Sequence, residues 1–158
     1  MDLSLFYLPT WRDGFNISLG RYYEEITESV KLADALGWAR ALTTEHHFHY
    51  YGGAIPNPAV IFAAWARETQ NIRLAAAVSL IQLRDPLKVA EDYALVDQLS
   101  GGRVDMGVGR GFAPHEFGAF NVDRADVAGR ITEGLEICSR FWAGEPFSYT
   151  GKYFSFDR

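Results

Sequence analysis

Four apolar, strand-like runs recur along the chain, Leu3 to Leu8, Trp38 to Thr43, Ile72 to Leu80 and Arg103 to Val108, with helix-like stretches between them. Their starts lie roughly 30 to 36 residues apart, the span of a strand, a helix and two loops. Few folds accommodate this alternation, because strands joined by helical crossovers lie parallel and cross over in the right-handed sense. The helical stretches carry their own start and stop signals. Tyr22, Ile26, Val30 and Ala33 share one face of the first, which ends near Gly37. Asn57-Pro58 and Asp85-Pro86 each supply an N-cap followed by a first-turn proline. Val60, Ile61, Ala64 and Trp65 are expected to form the apolar side of the second helix, and Val89, Tyr93 and Val96 that of the third. Asp123 and Asp126 are placed to cap a fourth, carrying Val127, Ile131, Leu135, Cys138 and Trp142. Beyond it, Phe147-Ser148-Tyr149 and Tyr153-Phe154-Ser155-Phe156 flank Thr150-Gly151-Lys152 in the pattern of a short hairpin.

The class is therefore α/β with a parallel sheet. The strands read as continuously apolar, as in sheets covered on both faces. A doubly wound sheet is complete at about this length, whereas a (β/α)8 barrel typically needs about 250 residues, so length by itself favours the open sheet. The 158 residues are 48% hydrophobic and 22% charged, a balance that buries a core as one domain. The formal charge is -5 and the 15 Lys and Arg are scattered, which argues against nucleic acid or an anionic membrane as partner. Cys138 is the only cysteine, so no intramolecular disulfide forms and a buried thiol is expected. The start, Met1-Asp2-Leu3, has no basic segment, and no apolar run approaches the roughly 18 residues of a membrane span. The expected location is cytoplasmic.

Parallel sheets build their sites at the carboxyl ends of their strands. There, after the second strand, stands Glu45-His46-His47-Phe48-His49. Imidazole titrates nearest neutral pH, which makes this tract a candidate for proton transfer. His46 and His47 point to opposite sides if the strand persists, and His46 is taken as the one facing the cavity. Its chemistry would be that of a general base, or a donor to an oxygenated intermediate, worth typically about 10² to 10⁴ in rate. Metal binding by Glu45, His46, His47 and His49 is the rival reading, but no metal-binding spacing is present and no metal is expected. At the end of the fourth strand, Gly107-Val108-Gly109-Arg110-Gly111 lets a ligand or backbone approach closely, and Arg110 supplies a fork for phosphate or carboxylate. A dinucleotide fingerprint fails on spacing, and Ala113-Pro114 interrupts the helix it requires. Ala75-Ala76-Ala77-Val78-Ser79 leaves room above the third strand for a flat ligand, or lets helices pack closely. Gly52 to Pro58 forms either a flap over the histidines or a rigid connector.

In order and spacing these segments resemble the bacterial luciferase-like flavin-dependent monooxygenases along almost the whole chain. The resemblance runs through Glu45-His46-His47-Phe48, Asn57-Pro58, Ile72-Arg73-Leu74, Asp85-Pro86, Ala90-Glu91-Asp92 and Leu95 to Arg103. It continues through Gly107 to Gly111 and on to Glu116-Phe117 and Phe120. It implies a (β/α)8 barrel of which this chain is the amino-terminal half, and so overturns the length argument. The expected layout is one half-barrel domain over 1–158, with four βα units in 1–144 and a hairpin-like extension in 145–158. The implied activity is oxidation of a small organic substrate by O₂ and reduced flavin, FMN or in some branches the deazaflavin F420. By position His46 resembles the family's catalytic histidine and Arg110 the arginine on the flavin phosphate. Ala77-Val78 falls where luciferases place a non-proline cis peptide beneath the flavin ring, with Gly109 and Gly111 bordering the same cofactor. A flavin reductase, and either a carboxyl-terminal half or self-association, are the implied partners. A non-catalytic flavin-binding or assembly protein, or an F420-dependent oxidoreductase, is the alternative. Gly109 replaces a reactive cysteine of light-emitting members and Ala113 a tyrosine, so luminescence is not expected.

Overall fold

Side-chain oxygens start the first three long helices. Ser18 accepts from the Arg21 N–H at 3.1 Å, Asn57 from Ala59 at 3.1 Å, and Asp85 from Leu87 at 2.8 Å and Lys88 at 3.2 Å. In the computed structural model, which describes residues 1–157, the elements run β1 Ser4–Tyr7, α1 Leu19–Ala35, β2 Arg40–Thr43, α2 Pro58–Glu68, β3 Arg73–Ser79 and α3 Pro86–Ser100. They continue with β4 Val104–Val108, α4 Pro114–Ala119, α5 Val127–Ala143, β5 Tyr149–Thr150 and β6 Ser155–Phe156. No helix among the described residues is long and apolar enough to cross a membrane.

β1 to β4 form one parallel sheet in sequential order, with Leu5, Ala41, Leu74 and Val104 in one row and Tyr7, Thr43, Ala76 and Met106 in another. Right-handed crossovers between strands in sequential order put every connecting helix on the same face. These two rows meet that helical layer, around Val30, Phe62, Trp65, Val89 and Tyr93. The intervening row, Phe6, Leu42, Ala75 and Asp105, lies on the other face, where Phe6 is 56% exposed. The architecture is thus a (β/α)4 half-barrel, and the expectation of a sheet covered on both faces is corrected. Near the amino ends of this open face Asp105 pairs with Arg73 at 2.5 Å and Arg40 at 3.4 Å. Chiefly the Arg73 hydrogen bond holds the Asp105 carboxyl below its usual range.

Two side chains brace the sheet's amino-terminal end. The Asp34 carboxylate accepts the N–H groups of Gln70, Asn71 and Ile72 at 2.6–2.9 Å. The Arg103 guanidinium spends its donors on five acceptors: the carbonyls of Ser100, Ile72, Ala66 and Thr69 and the Thr69 hydroxyl. It thus joins the ends of α2 and α3 to the start of β3.

Four helical details differ from the sequence expectation. α2 buries Ala59, Phe62, Trp65 and Ala66, while Val60 and Ala64 face outward. α4 is an additional helix. Asp126 does not cap α5 through its side chain; its carboxylate instead accepts from the Tyr153 hydroxyl at 2.9 Å and Lys152 Nζ at 3.1 Å. On α5, Leu135 and Trp142 are 37% and 44% exposed, whereas Ile137 and Cys138 are sealed. The hairpin docks on α5 through Glu133, whose carboxylate accepts from the N–H groups of Lys152, Tyr153 and Phe154.

Candidate active site

Just past Thr43 the chain leaves strand geometry, and two buried carboxylates tie the carboxyl ends of the strands together. Glu45 is 1% exposed. Its Oε2 accepts from Ser79 Oγ at 2.9 Å and the Leu80 N–H at 3.1 Å, and its Oε1 lies 3.2 Å from His47 Nε2. Its own N–H donates to the Val78 carbonyl at 3.3 Å. Glu45 therefore fastens β2 to the segment just past the Ala77–Val78 peptide, which is cis. Burial pushes the neighbouring Tyr93 hydroxyl well above the usual phenol range, so the carboxylate has a neutral phenol nearby.

Glu116, on α4, is wholly buried. Its Oε1 accepts the His47 backbone N–H at 2.8 Å and lies 3.0 Å from His46 Nδ1, while its Oε2 has no protein partner. His46 and His47 thus diverge, one toward Glu116 and the other toward Glu45. The His46 ring meets Phe112 edge-on at 5.4 Å and keeps 13% of its side chain exposed. His115 Nε2 donates to the His47 carbonyl at 3.0 Å, and His49 stacks on Tyr50. The groups considered for a metal are divided between separate partners. Among the described residues no cluster of three or more His, Cys, Asp or Glu is placed to hold an ion.

β4 carries the second constellation. Ala77 and Val78 together oppose the single residue Gly107, a local irregularity of the β3–β4 ladder. A Cβ at Gly107 would stand 2.4 Å from the Ala76 carbonyl oxygen, and one at Gly109 would stand 2.4 Å from Val78 Cγ2. Both glycines thus admit close approach of β3, through the Ala76 carbonyl and the Val78 side chain. Arg110 follows, with its carbonyl held by the Nε2 of buried Gln82 at 3.0 Å. Arg110 and Gly111 line a cavity of about 320 Å³ together with Phe117, Arg124 and Val127. Two guanidiniums and no carboxylate border it.

The loop after the histidines is tied down. Gly52 donates to Thr10 Oγ1 at 3.2 Å and Ala54 to the Pro9 carbonyl at 3.0 Å, so it is a connector braced against the segment after β1. Arg124 and Glu116 are the site residues to which sequence reasoning assigned no role. Glu116 meets His46 across a separation of 70 residues, and no local pattern announces such a contact.

Residues 4–158 match the family described as luciferase-like monooxygenase. The structure superimposes on the monooxygenase RslO1 of Streptomyces bottropensis with a TM-score of 0.94 and 37% identity, over 99% of this chain and 47% of that one. The oxygenating constituent of 3,6-diketocamphane monooxygenase from Pseudomonas putida, solved with FMN, gives a TM-score of 0.90 and 28% identity, over 99% of this chain and 43% of that one. The oxygenase component of the flavin-dependent trigonelline monooxygenase of Acinetobacter baylyi is 28% identical over 138 residues, 86% of this chain and 38% of its own. The chain thus spans less than half the length of each of these proteins. It belongs to the luciferase-like monooxygenase family.

Proposed function

We propose that this chain provides the histidine wall and one phosphate-binding flank of an oxygenase site that takes reduced FMN from a separate reductase and oxidises a small organic substrate with O₂. The observation that carries this reading is the cavity bordered by Arg124 and by Arg110, the latter two residues along the chain from the Phe112 ring that packs on His46. A concavity with two guanidiniums and no carboxylate suits the dianionic phosphate of FMN. Half-buried Ala77, near the end of β3, offers a low floor for a flat ring system. The flavin-dependent relatives, one of them solved with FMN, support the same cofactor.

When bound, reduced flavin would supply two electrons to O₂, one oxygen atom entering the substrate and the other leaving as water. The protein's own part is to hold and shield. Arg110 and Arg124 anchor the phosphate, and Gln82, by fixing the Arg110 carbonyl, sets the loop from which that guanidinium extends. Glu45 keeps the Val78–Leu80 segment against β2. His46 exchanges a proton with the reacting oxygen.

Anaerobic titration with FMN, reduced FMN, riboflavin and F420 tests the reading. Reduced FMN should bind, and Arg110→Ala and Arg124→Ala should each weaken it about tenfold or more, the value of a charge-assisted hydrogen bond, without changing riboflavin affinity. Preference for F420 would move the chain to the deazaflavin branch. Binding without substrate oxidation in the presence of a reductase, unaltered by His46→Ala, would make it a flavin carrier. Absence of flavin binding would overturn the proposal.

A further inference from the structure

The contact between α4 and the histidine tract has a specific chemical consequence. Glu116 Oε1 accepts the His47 N–H at 2.8 Å, and the same oxygen stands 3.0 Å from His46 Nδ1. A carboxylate has no hydrogen to give, so Nδ1 must be the nitrogen that carries one. Oε2 has no protein partner, so Oε1 carries both contacts of this carboxyl. His46 Nε2 makes no hydrogen bond among the described residues and is not among the sealed polar atoms. Phe112 on one side and Gly52 on the other hold the ring in place: a Cβ at Gly52 would stand 2.7 Å from His46 Cδ2.

We propose that Glu116 is a positioning residue that pins the His46 proton on Nδ1 and leaves Nε2 as an acceptor at the mouth of the half-barrel. When Nε2 takes a proton, the ring becomes an imidazolium whose charge sits against the Glu116 carboxylate, and the ring cannot turn without breaking that bond. The catalytic meaning of this arrangement rests on the oxygenase reading above, whereas the proton's position does not. α4 is thus the element that sets which imidazole nitrogen serves the reaction.

Nitrogen-15 NMR of histidine-labelled 158-residue chain, without flavin and above about pH 8 where a free imidazole is neutral, reads the tautomer directly. The wild-type His46 should show a protonated Nδ1 and a bare Nε2. Glu116→Gln, which keeps an acceptor oxygen, should retain this pattern, while Glu116→Leu should convert the ring to the Nε2-protonated form preferred in water. A wild-type ring protonated on Nε2, alone or on both nitrogens, overturns the proposal whether or not the leucine variant folds. So does a folded Glu116→Leu protein whose tautomer is unchanged. An Nδ1-protonated wild type that binds no flavin would sink the oxygenase reading and leave this one standing.

Discussion

Gly109 illustrates how a single residue can be recognised from sequence while its reason is not. The alternating glycines after β4 are conspicuous in the chain, but their neighbour is Val78, thirty-one positions upstream, and no local pattern names it. Because the missing Cβ would stand 2.4 Å from Val78 Cγ2, Gly109→Ala overpacks the β3–β4 contact. The expected cost is about 1–3 kcal/mol, read as a lowered urea midpoint. Val78→Ala removes the clashing methyl, so the double variant should recover most of that loss relative to Val78→Ala alone. Strict additivity would refute the contact. Glu116 shows the same limit: its residue type and its place after Pro114 are visible, but its meeting with His46 exists only in the fold.

At the scale of elements, local rules worked where local chemistry decides. Asn57 and Asp85 cap α2 and α3 as their sequences predict, with proline in the first turn of each helix. The rotation of α2 was not legible, because Pro58 to Ala66 is apolar on every side and several faces satisfy the helical period equally. α4 has six residues, too few for a period to emerge. Connections between elements are also fixed by groups whose partners are distant. Burial alone would raise the Asp34 carboxyl, but the three N–H groups of the α2–β3 connection hold it below its ordinary value. A depressed folded-state value stabilises the protein above the unfolded-state value, near pH 3.9, and that contribution fades as pH falls through the folded one. Asp34→Asn should therefore cost about 1–3 kcal/mol at pH 7 and reduce the loss of stability on acidification below about pH 4. Urea unfolding across that range measures both. An acid limb as steep as wild type would exclude Asp34 as its source.

For the molecule as a whole, the βα alternation was readable from periodicity, whereas the choice between an open sheet and part of a barrel came from the family resemblance and not from length. Length misleads here, because four strands in sequential order complete neither fold. What separates the two is the face carrying exposed Phe6 and half-buried Leu42 and, among the described residues, the unpaired outer edges of β1 and β4. The 158-residue chain in isolation should bury this face by associating. Sedimentation should show an apparent mass that rises with concentration, and Phe6→Lys, which sets a charge at the exposed β1 end of the row, should return it toward the monomer. A concentration-independent monomer for the wild type would contradict this expectation. The Arg103 guanidinium lies at the other end of the strands from His46, Glu116 and Arg110. With the frame bolted at its base, the loops at the opposite ends of the strands are free to vary in evolution. Such a scaffold can change the chemistry of those loops without first relearning how to fold.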